Sequence, residues 1–391
     1  MASVVVDCSS GFTSDTGFLV ACWQAELTMA NNVINNSRVF MTKILSNFTW
    51  VDGIDDGLNL VNKLNESEYY AIDTEFERTR TFYLNPALLQ ISCDEQVYLV
   101  DIAIPELAEI VLKPIKGLVL HSGSEDLELY HQVTGQKPLQ LFDTQVAAAL
   151  SGYDLHTSYL NLVMDLMGVE LDKGMSRSDW LARPLSNEQL KYAVEDIAYL
   201  DAFKQILTEK FTAKGLDGLF DVLMQQMIAQ IEHDGHAEKV FQKMVKSERL
   251  NHSEAQKLWL ILNWRDDLAK NRNKPRNWIL NPKQIVEVIR KVKVYPDLFK
   301  LGLHPNFVKY NGESLIQTLN DEQHPCLSDV PVQIKLNSQQ GSHLSEMKQR
   351  LKQVSARHQI EPSIIINTQG LKKLAFENGE LESLATWQAI T

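Results

Sequence analysis

A chain of 391 residues is too long for one ordinary core and predicts two or three domains. An apolar fraction of 44% suits globular folding, and the lack of an apolar run of about 18 residues excludes a membrane-spanning helix. A formal net charge of −12 excludes a simple basic nucleic-acid-coating protein, although a carboxylate-rich site holding divalent metals is itself acidic.

Residues 1–40 are rich in Ser, Thr and Asn without sustained periodicity and read as a weakly structured tail, with Met41 an alternative start of the compact protein. No basic segment followed by a compact apolar one opens the chain, so no secretory signal is expected and cytoplasm is the default. Cys8, Cys22, Cys93 and Cys326 are scattered, with no Cys-x-x-Cys pair, which suits a reducing compartment rather than a zinc or disulfide framework. Residues 69–76 predict a strand, and 88–92 with 96–101 a hairpin. Helices near 105–113 and 124–133 flank a short apolar strand at 117–121. Strands alternating with helices predict an α/β domain with a mixed sheet over about 44–205. Beyond about 210 the strand signals fade. Residues 253–320 read as helices broken near Pro275, Pro296 and Gly302; 324–331 reads as a linker, and helical patterns resume from 343 to 386.

Asp73 and Glu75 are two apart in a strand and share one face. Two carboxylates there are expensive unless neutralised, for which bound divalent cations would serve. A second acidic site follows the 117–121 strand, where Ser124 as N-cap puts Glu125 and Asp126 in the first turn of a helix. In the third, Ser186 and Gln189 match a capping box, and Tyr192 and Asp196 lie one helical turn apart. Each site alone also fits a blander role: a solvated strand face, ordinary acidity at a helix start, a boundary pair. Together Asp73, Glu75, Asp126 and Asp196 are able to hold two Mg²⁺ or Mn²⁺ ions about 4 Å apart. Such hard oxygen ligands suit those ions rather than zinc. Tyr192 would orient the attacking water.

In order, these segments resemble the three exonuclease motifs of the DEDD superfamily, tyrosine subclass, with Tyr192-x-x-x-Asp196 as the third. AIDTEFERTRTF, HSGSEDLELY, LFDTQVAAAL and SDWLARPLSNEQLKYAVEDIAYLD are close to the motifs of the ribonuclease D family. The resemblance implies a ribonuclease H-like fold and hydrolytic removal of 3′-terminal nucleotides as 5′-monophosphates. It also implies RNA with a free 3′ end, transfer RNA precursors above all, as substrate, with neither a membrane nor an obligate protein partner. Carried over, Asp73, Glu75, Asp126 and Asp196 are metal ligands and Tyr192 the water-orienting tyrosine; Asp143 is read as structural support. The chain departs from the family where Leu84 and Asn85 precede Pro86, which alters the local loop.

Residues 256–300 carry eleven Lys and Arg against four Asp and Glu, a local balance of +7 in an acidic chain. That is a reasonable RNA-backbone footprint, with Lys270, Arg272, Lys274 and Arg276 as phosphate contacts, and it also fits a solvated helical surface. LILNWRDDLAKNRNKPRNWIL resembles the helicase-and-RNase-D C-terminal (HRDC) domain, with Trp264 read as core. MKQRLKQVSARHQIEPSIIINTQGLKKLA resembles a diverged second copy. The expected order is an extension (1–43), an exonuclease domain (44–210), a helical connector (211–247), then all-α HRDC-type domains at 248–325 and 326–391. A DNA exonuclease and a non-catalytic RNA-binding scaffold are the rival readings.

Overall fold

The computed structural model describes residues 48–64, 67–93, 96–171, 174–232, 235–331 and 334–391. The expected N-terminal extension lies outside them. The strand expected at 69–76 is β2 (Tyr70–Glu77), and the expected hairpin pairs β3 (Asn85–Cys93) antiparallel with β4 (Gln96–Val100). The apolar run after Lys116 is β5 (Gly117–Leu120). Sequence reading missed β1 (Phe48–Val51) and β6 (Gln140–Asp143), since four residues are too few to establish an alternation.

The six strands form one mixed sheet in the order β1-β4-β3-β2-β5-β6. β2 runs antiparallel to β3 and parallel to β5, which puts it among the central strands. Strands covered on both faces read as near-continuous apolar runs; in β3, Ala87 through Cys93 are all buried. Helices α1 (Ile54–Leu64), α2 (Pro105–Leu112) and α3 (Ser124–Thr134) pack on one another in succession. α4 (Thr144–Ser151) follows β6, and α5 (Tyr159–Leu162) runs into a wide turn, Val163–Met167. α6 (Asn187–Ile197) crosses β2, β3 and β4, while α7 (Leu200–Thr212) packs on β5 and α4.

α8 (Asp217–Gln230) adds Leu219, Phe220 and Met224 to the core around the sheet, whereas α9 (His236–Ser247) adds Phe241, Met244 and Val245 to a separate helical core. The stretch 211–247 therefore divides between two cores. The second core holds α10 (His252–Arg272), α12 (Pro282–Lys291) and α13 (Pro305–Asn320), with Leu258, Ile261 and Leu262 facing inward and Trp264 half-buried against it, while α11 (Arg276–Ile279) buries Ile279 in a small cluster with Ala269 and Phe82. The last helices are α14 (Ser338–His358), α15 (Pro362–Ile365), α16 (Thr368–Phe376) and α17 (Ala385–Gln388). They bury Met347, Leu371 and Leu381 in the same apolar cluster as the sheet, and α17 packs on α8.

A joint ties α10 to the loop after β2. Asn273, left-handed at φ 47°, closes α10, and its Oδ1 accepts from Phe82 N and Tyr83 N, both at 3.0 Å. The Arg276 guanidinium lies 4.5 Å from the centre of the Phe82 ring.

Candidate active site

Asp73 and Glu75 leave the same side of β2 under α6, whose Asp196 points back at them. Oxygens of Asp73, Glu75 and Asp196 all lie within 4.8 Å of one another. Asp126 of α3 lies outside that trio but beside it: its Oδ1 accepts from Thr74 Oγ1 at 2.5 Å, and its charge raises the pKa values of both Asp73 and Glu75. The sequence placed Ser124 as the cap of α3; the structure puts Gly123 there instead, with no side-chain cap. A Cβ on Gly123 would come within 2.3 Å of Leu120 Cδ1, so no capping side chain fits. The Asp143 carboxylate does the tethering. It accepts from Gly123 N at 3.1 Å and from Gln145 N and Val146 N at 2.8 and 3.1 Å, joining the α3 turn to the start of α4.

The capping box of α6 is present as the sequence predicts, with Ser186 Oγ accepting from Gln189 N and Gln189 Oε1 from Ser186 N. Gln189 Nε2 also donates to Asp179 O at 3.1 Å, holding the Ser-Asp-Trp segment against the helix start. Arg183 pins the same segment to the sheet through Asp101, Ala87 O and Trp180 O. Trp180 packs on Tyr192, ring centres 6.0 Å apart, and the Tyr192 hydroxyl hydrogen-bonds Asp196.

Burial and mutual repulsion dominate the electrostatics. Burial, then the charges of Asp126, Asp196 and Glu75, push the Asp73 carboxyl well above its ordinary range. Burial and the same neighbours lift Glu75 to about 9. Burial raises Asp196 to about 7 and Asp126 to about 6. Burial and the adjacent Asp196 carboxylate push the Tyr192 phenol far up. Four acids disfavour ionisation together unless cations join them. A purely carboxylate donor set of this density fits hard divalent ions such as Mg²⁺ or Mn²⁺.

Asp73 and Asp196 line a cleft of about 400 Å³ together with Tyr192, His121, Ser158, Tyr159 and Ser176. Sequence reading missed three residues here. His121 is held by Thr144 Oγ1 at 2.9 Å and Thr157 O at 3.1 Å, and burial lowers its pKa. Tyr159 donates its hydroxyl to Glu195 O at 2.7 Å and so supports the last turn of α6. Gln90 lies opposite Asp73 in the β2–β3 ladder. None carries a spacing signal, because each gains its place through strand pairing or packing.

Of the four cations read as phosphate contacts, Lys270, Arg272 and Lys274 are exposed, with Arg272 donating to Asn311 Oδ1 at 2.6 Å. Arg276 is turned into the joint, where its Nε donates to Asp266 Oδ2 at 2.9 Å and burial lowers its pKa to about 10.

Residues 48–212 match a family model described as 3'-5' exonuclease. A ribonuclease H-like mixed sheet with an acidic cleft thus defines a 3′→5′ exonuclease. Ribonuclease D of Xanthomonas oryzae is 35% identical over 273 residues, 66% of this chain and 74% of that protein. Ribonuclease D of Escherichia coli is 29% identical over 343 residues, 82% and 88% of the two chains. The crystal structure of Escherichia coli RNase D, described as an exoribonuclease involved in structured RNA processing, aligns with a TM-score of 0.71 at 27% identity. That alignment covers 84% of this chain and 90% of the other. The chain belongs to the ribonuclease D family of 3′→5′ exoribonucleases. Among the described residues no helix is long and apolar enough to cross a membrane.

Proposed function

We propose that the chain trims the 3′ ends of structured RNA, transfer RNA precursors foremost, with Asp73, Glu75, Asp126 and Asp196 holding two divalent cations. The single observation that carries this reading is the meeting of Asp73 and Glu75 of β2 with Asp196 of α6, their oxygens within 4.8 Å of one another, with Asp126 of α3 near enough to raise the Asp73 pKa. Bound Mg²⁺ or Mn²⁺ would supply Lewis acidity that makes water acidic and neutralises charge developing on the phosphate. The chain's own part is positional. Tyr192, protonated at neutral pH because its pKa is pushed up, orients the attacking water by a hydrogen bond and is not the base. Water oxygen bonds to phosphorus, the P–O3′ bond breaks, and the product is a nucleoside 5′-monophosphate. The helical region 248–325, read as the first HRDC-type domain, presents Lys270, Arg272 and Lys274 to the RNA backbone, and 326–391 is read as a diverged second copy. The scattered cysteines, with no Cys-x-x-Cys pair, support action in a reducing cytoplasm.

The test compares 3′-extended transfer RNA, single-stranded RNA and single-stranded DNA, each with Mg²⁺, Mn²⁺ or chelator, for wild type and Asp73→Ala. The reading expects metal-dependent release of monophosphates, RNA preferred over DNA, and near-complete loss in Asp73→Ala. Trimming by Asp73→Ala at the wild-type rate would overturn it.

A further inference from the structure

Gln90 occupies the middle of β3 and is 0% exposed. Neither atom of its side-chain amide has a hydrogen-bond partner among the described residues. Its place is specific. Gln90 is paired directly with Asp73 across the β2–β3 ladder, and directly opposed residues project from the same face at Cβ separations of about 5 Å. α6, which carries Tyr192 and Asp196, packs over that face of both strands. A buried amide without a partner is costly, and Leu or Met would fill the same slot without that cost. The flanking strand residues Leu88, Leu89 and Ile91 are apolar and fully buried, so nothing in the packing calls for an amide.

We infer that Gln90 is a positioning residue for the cation site: its Nε2–H, which makes no hydrogen bond here, turns to the outer oxygen of the Asp73 carboxylate when cations bind and fixes which oxygen faces them. A side chain behind a ligand commonly sets that ligand's orientation and basicity. The chemistry of the amide suits this task. It is long enough to reach across the ladder, and it donates a hydrogen bond without bringing a positive charge that would compete with the cation, as Lys or Arg would. The inference rests on the reading that the four carboxylates hold divalent ions.

The experiment uses full-length Gln90→Met and Gln90→Leu beside wild type, with Asp73→Asn as a control. Mn²⁺ binding is titrated by electron paramagnetic resonance without RNA. Melting is recorded with and without Mn²⁺, and hydrolysis of a short single-stranded RNA is followed against Mg²⁺ concentration. Both Gln90 variants should melt, metal-free, at or above the wild-type temperature. Their Mn²⁺ Kd should weaken on the order of tenfold. The Mg²⁺ needed for half-maximal rate should rise in step, with KM for RNA unchanged. Mn²⁺ and Mg²⁺ dependence within twofold of wild type would overturn the inference while leaving the cation site standing. So would a lowered metal-free melting temperature in both variants, or their failure to fold, since the amide would then serve the fold rather than Asp73. If wild type binds Mn²⁺ no better than Asp73→Asn, the cation site itself falls.

Discussion

Tyr192 hangs one turn before Asp196 on α6 and hydrogen-bonds it. Tyr192→Phe keeps the ring packed on Trp180 and removes only the hydroxyl. If that hydroxyl orients the nucleophile, single-turnover cleavage at saturating Mg²⁺ should slow on the order of 10²-fold, with metal affinity unchanged. A rate within about twofold of wild type would make Tyr192 a packing residue. The neighbouring acids make a second prediction. An acid whose pKa is raised by folding contributes stability that is complete below its unfolded value, about 4. That contribution is lost as pH rises through the folded values, about 6 for Asp126, about 7 for Asp196 and about 9 for Glu75. Metal-free protein should therefore melt at progressively lower temperature from about pH 5 to pH 8. Added Mg²⁺ should raise the melting temperature more at the upper end. Calorimetry in chelator and in Mg²⁺ checks both signs, and a metal-free curve rising with pH would contradict the placement of these acids.

At the scale of elements, each site residue depends on how its strand or helix is fixed. α6 begins at a capping box and is supported at its last turn by Tyr159, so its start and end are held independently of the metal. The loop after β2 is held from outside the exonuclease core, by Asn273 at the end of α10. Asn273→Ala removes both of its hydrogen bonds to the loop and places Cβ-bearing Ala in a left-handed conformation. Asn273→Gly removes the same bonds without that strain. Both variants should lose stability in denaturant titration, Ala more than Gly by about 1 kcal/mol. Equal losses would mean that the bonds, and not the φ of 47°, set the cost. Proteolysis within residues 78–84 should be faster in both, because the loop has lost its outer anchor.

For the whole molecule, the terminal helices are joined to the exonuclease core and the middle helices form their own. α17 packs on α8, and Met347, Leu371 and Leu381 share the apolar cluster of the sheet. A chain ending after residue 331 should lower the melting temperature of the exonuclease domain itself, because it bares the face of α8 that α17 covers. Loss of the basic surface has a different signature. Replacing Lys270, Arg272 and Lys274 with Ala should reduce the salt slope of RNA binding by up to about three charges, leaving cleavage of a short oligonucleotide less affected. Binding isotherms at several salt concentrations read that slope; an unchanged slope would assign these residues to the solvated surface alone.

The sequence by itself determined the α/β class, the strand bearing Asp73 and Glu75, the capped helix bearing Tyr192 and Asp196, and the helical character of the second half. These were legible because each rests on local chemistry: residues two apart in a strand, four apart in a helix, a Ser and Gln three apart at a cap. Ser124 was misread as a cap because a side-chain cap is a local pattern, whereas the clash that requires Gly123 comes from Leu120 folding back beneath it. Strands β1 and β6 were invisible because four residues gain their conformation from neighbours in the sheet. Only the tertiary structure set Gln90 against Asp73, brought His121 to the cleft, and turned Arg276 inward onto Phe82 and Asp266. Those placements are decided by strand register and by packing between segments up to 191 residues apart, as at the Phe82–Asn273 joint, and no spacing along the chain encodes them.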